Sequence, residues 1–115
     1  MIDKSAEKKC SQNFKVNSLI LPGLIKNISN SSVLRHIHIL HYKFSALSWE
    51  QLGHSVGNSK TISHLQLNVC NLNTANHVEL LMKGIIENRS IEKLDLSDNQ
   101  IRDVDGMYIV RYLKQ

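Results

Sequence analysis

Few residues in this chain could crosslink it, rigidify its backbone or take it into a membrane. It has two cysteines, Cys10 and Cys70, and a single proline. Two cysteines without metal-site spacing predict reduced thiols rather than a disulfide framework or a zinc site. No apolar run approaches the roughly 18 residues of a membrane span, and the N-terminus lacks an apolar segment of signal-peptide type. We therefore expect a soluble, cytoplasmic protein with no membrane contact.

Aromatic side chains are also scarce, with one Trp, three Tyr and two Phe spread through the chain. Binding of single-stranded nucleic acid needs basic residues along one face together with stacking aromatics, so we expect no nucleic-acid partner. The net charge is only +4, and much of the basic character lies in residues 1–15. We predict that residues 1–15 form a polar, basic, flexible tail, and that 115 residues make one folding unit.

What the chain does contain is a set of four apolar residues that recurs after 28 and then after 29 residues. The set is Ile91, Leu94, Leu96 and Ile101, preceded by Ile62, Leu65, Leu67 and Leu72, and before those by Leu34, Ile37, Ile39 and Phe44. Each set is followed by two apolar residues spaced four apart, as one face of a helix requires. These pairs are Leu52 and Val56, Leu81 and Ile85, and Ile109 and Leu113, with Leu24 and Ile28 as an earlier one.

This pattern resembles the leucine-rich repeat, L-x-x-L-x-L-x-x-N/C-x-L, and its period resembles the ribonuclease-inhibitor-like subclass. The resemblance implies an α/β solenoid, a short horseshoe segment with parallel strands on its concave face and helices on its convex face. A helical half-repeat would occupy residues 16–33, and repeats would occupy residues 34–61, 62–90 and 91–115. Proteins of this subclass commonly bind other proteins, which implies the same role here.

The position after each strand has a distinct chemistry. A chain that turns inside the stack exposes backbone groups away from water, and an asparagine amide can both donate to them and accept from them. Asn99 occupies this position in the last repeat, and Cys70 occupies it in the repeat before. We predict that both are buried. Tyr42, at the same position one repeat earlier, is too large for that role.

Alternation along the strands predicts which polar side chains point away from the core. We define the strand face as the outward-pointing residues that we expect to contact a protein partner. They are Arg35, His36, His38, His41, His64, Gln66, Asn68, Lys93, Asp95, Ser97 and Asp98. At the C-terminal end, Tyr108 and Tyr112 are four residues apart and are predicted to form an apolar strip for docking another subunit.

No motif in the chain predicts catalysis, and we expect neither an enzyme nor a cofactor. Gly53, Ser55 and Gly57 match G-x-S-x-G, but the repeat places them on a helix rather than at a strand-to-helix turn. The leading hypothesis is a non-catalytic protein-interaction module or scaffold piece, as a fragment or subunit of a larger assembly. The alternatives are a regulatory subunit of a GTPase-activating or ligase-type complex, and a metal site formed by His36, His38 and His64.

Overall fold

Strands and helices alternate along the chain in the computed structural model, which describes residues 11–14, 21–72 and 76–113. In chain order the elements are β1 (Ser11–Phe14), α1 (Leu21–Asn30), β2 (His36–Leu40), α2 (Ala46–Asn58), β3 (His64–Asn68), α3 (His77–Ile85), β4 (Lys93–Asp95) and α4 (Gly106–Leu113). A short 3-10 turn, Asp103–Asp105, leads directly into α4. The described residues include no helix that is both long and apolar enough to cross a membrane.

The four strands form one parallel sheet in the order β1-β2-β3-β4. Ile37 of β2 lies opposite Leu65 of β3, and Leu65 lies opposite Leu94 of β4. These three partners hold the same place in the successive apolar sets of the sequence, so the register of the sheet follows the spacing of those sets. The α/β class and the parallel pairing predicted from that spacing are therefore confirmed.

The helices cover one side of this sheet and share a single apolar core with it. Three of the four pairs predicted to face the core are buried, namely Leu24 and Ile28, Leu52 and Val56, and Leu81 and Ile85. In the fourth pair Ile109 is only partly buried, and the side chain of Leu113 lies outside the described part of the structure. From the sheet side, Ile37, Ile39, Leu65 and Leu67 contribute side chains with no exposed surface. Burial of this apolar area supplies the main driving force for holding helix and strand together.

Each turn from helix to strand is closed by a side chain that accepts two backbone N–H groups. Ser31 Oγ accepts from Val33 and Leu34, at 3.1 and 2.9 Å. Ser59 Oγ and Asn88 Oδ1 accept from the equivalent residues of the next two turns. These three side chains recur with the period of the apolar sets, although the sequence analysis did not identify them. They satisfy backbone donors that would otherwise remain unpaired at the turn.

The predicted N-terminal tail needs a correction. Residues Ser11–Phe14, within the predicted tail 1–15, form a strand whose Ser11 pairs with His36 and whose Phe14 pairs with Ile39. The prediction of a tail is therefore wrong for these four residues, and the rest of the segment lies outside the described residues. The strand was missed because its offset from β2 is shorter than the repeat period, and because Gln12 occupies the position that pairs with the buried Ile37.

Burial declines toward the C-terminal end of the sheet. Leu94 and Leu96 are only partly buried. Leu65 and Leu67, the equivalent residues of β3, have no exposed surface. Within the described residues no strand pairs with the outer edge of β4. At this end, therefore, part of the apolar surface of β4 is open to solvent, whereas the corresponding surface of β3 is covered.

Candidate functional site

The strand face lies on the side of the sheet opposite the helices. His36 and His38 are half-buried, and they alternate with the fully buried Ile37 and Ile39. The same alternation continues on β3, where His64 and Gln66 lie outward. The predicted outward orientation of these side chains agrees with the structure. Asn68 is more deeply buried than these side chains, since only 8% of its surface is exposed.

A hydrogen-bonded chain crosses the strand face from His36 to Asp95. Gln66 Nε2 donates to Asp95 Oδ2 at 3.4 Å, so Gln66 Oε1 is left to accept from His36 Nε2 at 2.6 Å. In this arrangement His36 Nε2 is the donor of the bond. Alignment of the repeats alone places His36 beside His64, and it did not reveal this diagonal bond to Gln66.

A second chain runs parallel to the first, two residues further along each strand. Asn68 Nδ2 donates to the backbone oxygen of Ser97 at 3.0 Å, and Asn68 Oδ1 accepts from His38 Nε2 at 2.8 Å. Ser97 Oγ in turn donates to Asp95 Oδ1 at 2.6 Å. The two chains therefore meet at the carboxylate of Asp95.

These hydrogen bonds favour the ionised form of Asp95. The hydroxyl of Ser97 lowers the pKa of Asp95 most, followed by the Ser97 backbone N–H, while partial burial opposes them. Gln66 and Asn68 add smaller contributions in the same direction. Asp95 consequently remains charged at neutral pH and anchors the array of amides.

The remaining strand-face residues are exposed at its margins. Arg35 reaches the Thr61 carbonyl at 3.4 Å, and Lys93 occupies the row of His36 and His64. His41 and Asp98 follow the ends of their strands with left-handed backbone, at φ 59° and 63°. Ser97 is exposed as well, although its hydroxyl is fixed by Asp95.

Val69 takes the same position as His41 and Asp98, and it also has a positive φ, of 54°. A β-branched residue is strained in this region, because its side chain crowds the backbone. The side chain is also 42% exposed, and the end of β2 adds Leu40 at 45%. Neither residue was among those predicted from the sequence to contact a partner.

The structure gives the alternative of a metal site no support in its described part. The rings of His36 and His64 are tilted, with centroids 5.4 Å apart. His36 Nε2 and His38 Nε2 are hydrogen-bonded to side-chain amides, and the described residues contain no group of three side chains that could hold a metal ion. His36 and His38 therefore form a polar array with the amides, and the Nδ1 of His64 lies at 2.9 Å from the Ser63 hydroxyl.

Cys70 is buried, as predicted from its place in the repeat. Its Sγ contacts the backbone oxygens of Ile39 and Asn68 at 3.5 and 3.3 Å. Burial raises the pKa of the Cys70 thiol, with a smaller opposing effect from the backbone of Tyr42. The thiolate is therefore disfavoured, and Cys70 lacks the chemistry of a nucleophile.

The apolar strip predicted at the C-terminal end has a different composition from the one expected. Tyr108 and Tyr112 are half-buried against the core, and the Arg111 guanidinium lies 5.9 Å from the centre of the Tyr108 ring. Among the side chains of α4 that the structure describes, the exposed apolar ones are Met107 and Val110, at 51% and 47%. Tyr112 lies three residues after Ile109 and four after Tyr108, and all three side chains pack partly buried against the core.

No family model, curated protein or solved structure matches this chain. Its function must therefore be argued from its own residues and their geometry.

Proposed function

We propose that this chain is a non-catalytic protein-binding module, a short leucine-rich-repeat solenoid that presents its strand face to another protein. The observation that carries this proposal is the pair of hydrogen-bonded chains across β2, β3 and β4. They hold half-buried polar side chains in a fixed arrangement before any partner arrives. A preorganised surface loses less side-chain entropy on binding than a mobile one does.

The shape of the site favours a macromolecule over a small ligand. Small-molecule sites are concave and bury most of the ligand among apolar side chains. The strand face instead presents His36, His38 and His64 on neighbouring strands, with Arg35 and Lys93 exposed at its margins. Such an extended polar surface suits contact with a protein, in which hydrogen bonds are spread over a broad area.

The repeat assignment is supported by the contacts of Asn99. Asn99 is 3% exposed, its Oδ1 accepts from the backbone N–H of Cys70, and its Nδ2 donates to the carbonyls of Leu67 and Leu96. It thereby links two successive units, which is the task that the resemblance assigns to this position. The Cys70 thiol contacts the backbone oxygens of Ile39 and Asn68. These residues are equivalent to Leu67 and Ser97, whose backbone oxygens Asn99 contacts, but a thiol is a weaker donor than an amide.

Site-specific photo-crosslinking tests the proposal with two matched lysines. Lys93 is exposed on the strand face, and Lys83 is exposed on α3, on the helical side. Each is replaced separately by a photoreactive phenylalanine analogue, and the chain is irradiated in an extract of its native cells. We expect discrete protein adducts from position 93 that excess unlabelled chain suppresses, and none at position 83. Equal adducts from both positions, or adducts from position 83 alone, would contradict the proposal.

A further inference from the structure

The charges of the strand face are segregated by strand. The segments 31–49 and 59–72, which contain β2 and β3, include no Asp or Glu. On the strand face they carry Arg35 and the histidines at positions 36, 38, 41 and 64. The acidic residues of this region, Glu92, Asp95 and Asp98, all belong to the β4 segment. A ligand that lies across β2 and β3 therefore meets basic, titratable and uncharged side chains of these two segments, and none of their residues is acidic.

Asp95, the acidic residue that is hydrogen-bonded to this array, is already engaged. Asp95 accepts from Ser97 and Gln66, so its oxygens are occupied by hydrogen bonds within the protein. On the opposite side, β1 pairs Ser11 with His36 and Asn13 with His38, and neither residue titrates. Lys93 adds one more positive charge in the row of His64.

The histidine geometry is compatible with protonation. His36 and His38 each donate from Nε2 to a side-chain amide oxygen, a bond that both the neutral and the protonated imidazole can make. The ring of His64 lies 5.4 Å from that of His36, with its Nδ1 2.9 Å from Ser63 Oγ. Two charged imidazoles at this separation repel each other, and an anion placed over both relieves that repulsion.

We propose that the partner presents an acidic segment to β2 and β3, and that its binding strengthens as His36, His38 and His64 become protonated. This inference rests on the proposed function, since it specifies the chemistry of the protein that the strand face binds. Arg35 and Lys93 provide the attraction that persists at higher pH, while the histidines provide the part that depends on pH.

Fluorescence anisotropy with the whole chain and a fluorescein-labelled octaglutamate peptide tests this inference. Glutamate side chains titrate near pH 4.3, so the charge of the peptide is nearly constant between pH 6.0 and 7.5. We expect binding to be about threefold tighter or more at pH 6.0, the size that a few screened surface ion pairs produce. An octaglutamine peptide is expected not to bind at either pH.

Variants of single histidines test which side chain produces the gain in affinity at pH 6.0. His64→Gln is expected to lose much of the gain at pH 6.0, whereas His54→Gln, at an exposed position of α2, is expected to keep it. Arg35→Gln is expected to weaken binding at both pH values while retaining the ratio between them. Thermal melts of each variant verify that it is folded, and Arg35 is exposed enough to be changed with little effect on folding.

Several outcomes would overturn the inference. These are equal affinity at the two pH values, no difference between His64→Gln and His54→Gln, or tighter binding of a 12-nucleotide oligouridylate than of octaglutamate. If octaglutamate fails to bind while crosslinks at position 93 persist, the partner is a protein without an acidic segment, and only the inference fails. Loss of the crosslinks at position 93 would instead remove the proposed function.

Discussion

At the scale of single residues, the clearest agreement between sequence and structure is Asn99. Its place after the strand predicts an amide that pairs with buried backbone, and it accepts from Cys70 N at 2.6 Å. This could be foreseen because the requirement is local: a turn inside an apolar stack has few side chains that both donate and accept. The orientation of Gln66 and Asn68 could not be foreseen, since it depends on which donors neighbouring strands supply.

Asn99→Ala is expected to lower the free energy of unfolding by about 1 to 3 kcal/mol, because backbone groups of two units lose their partner. Urea denaturation followed by circular dichroism measures the change. Asn58→Ala is the matched control, since Asn58 is an exposed residue at the end of α2, and its change should remain within about 0.5 kcal/mol. Equal midpoints for the two variants would contradict the role assigned to Asn99.

At Val69, a substitution is expected to raise the free energy of unfolding. Asparagine tolerates the left-handed region far better than valine, and the strain there is about 1 to 2 kcal/mol. Val69→Asn is therefore expected to stabilise the chain by about 1 kcal/mol, measured in the same urea titration. Val33→Asn, at a position 63% exposed and without a positive φ, is expected to change little. A destabilised Val69→Asn variant would show that the side chain contributes packing instead of strain.

At the scale of secondary-structure elements, α2 and α3 lie close together because of three glycines. A Cβ on Gly84 would overlap the backbone of Gly53 and His54, and a Cβ on Gly57 would overlap the carbonyl of Gly84. The G-x-S-x-G match in the sequence thus lies on a helix, as predicted, and its glycines permit close helix packing. Spacing alone did not reveal this contact, because the partner glycine belongs to the next unit along the chain and matches no position of the repeat pattern.

Gly84→Ala is expected to destabilise the chain by about 1 to 3 kcal/mol, because the added methyl group forces two helix backbones apart. Gly23→Ala on α1 is the control, since a Cβ there would meet nothing within 4 Å. Alanine is a better helix former than glycine, so this control should gain roughly 0.5 to 1 kcal/mol. Thermal melts that shift in the same direction for both variants would contradict the close packing of α2 and α3.

The repeat pattern did not predict the first strand, β1. The offset between β1 and β2 is shorter than the repeat period, and Gln12 replaces an apolar residue at the position that pairs with Ile37. A pattern defined by identical spacing and apolar character cannot detect a strand that departs from both. Its pairing with β2 is held by backbone hydrogen bonds, which most sequences can make.

At the scale of the whole molecule, the strand face depends on one geometric feature: successive strands pair in parallel, with Ile37, Leu65 and Leu94 side by side. The spacing of apolar residues predicted this register because each strand must place alternate side chains in a common core. The strand face, its charge segregation and the proposed partner all follow from that register. A shift of one residue would turn the histidines of β2 inward and its isoleucines outward.

Nuclear Overhauser contacts between backbone protons of the isotopically labelled chain test this claim most directly. Neighbouring strands lie about 4.8 Å apart, which is within range of the method. The account predicts contacts that link Ile37 to Leu65 and Leu65 to Leu94, with residue numbers rising together along both strands. Contacts whose numbers rise along one strand while they fall along its neighbour, or a register shifted by one residue, would contradict it.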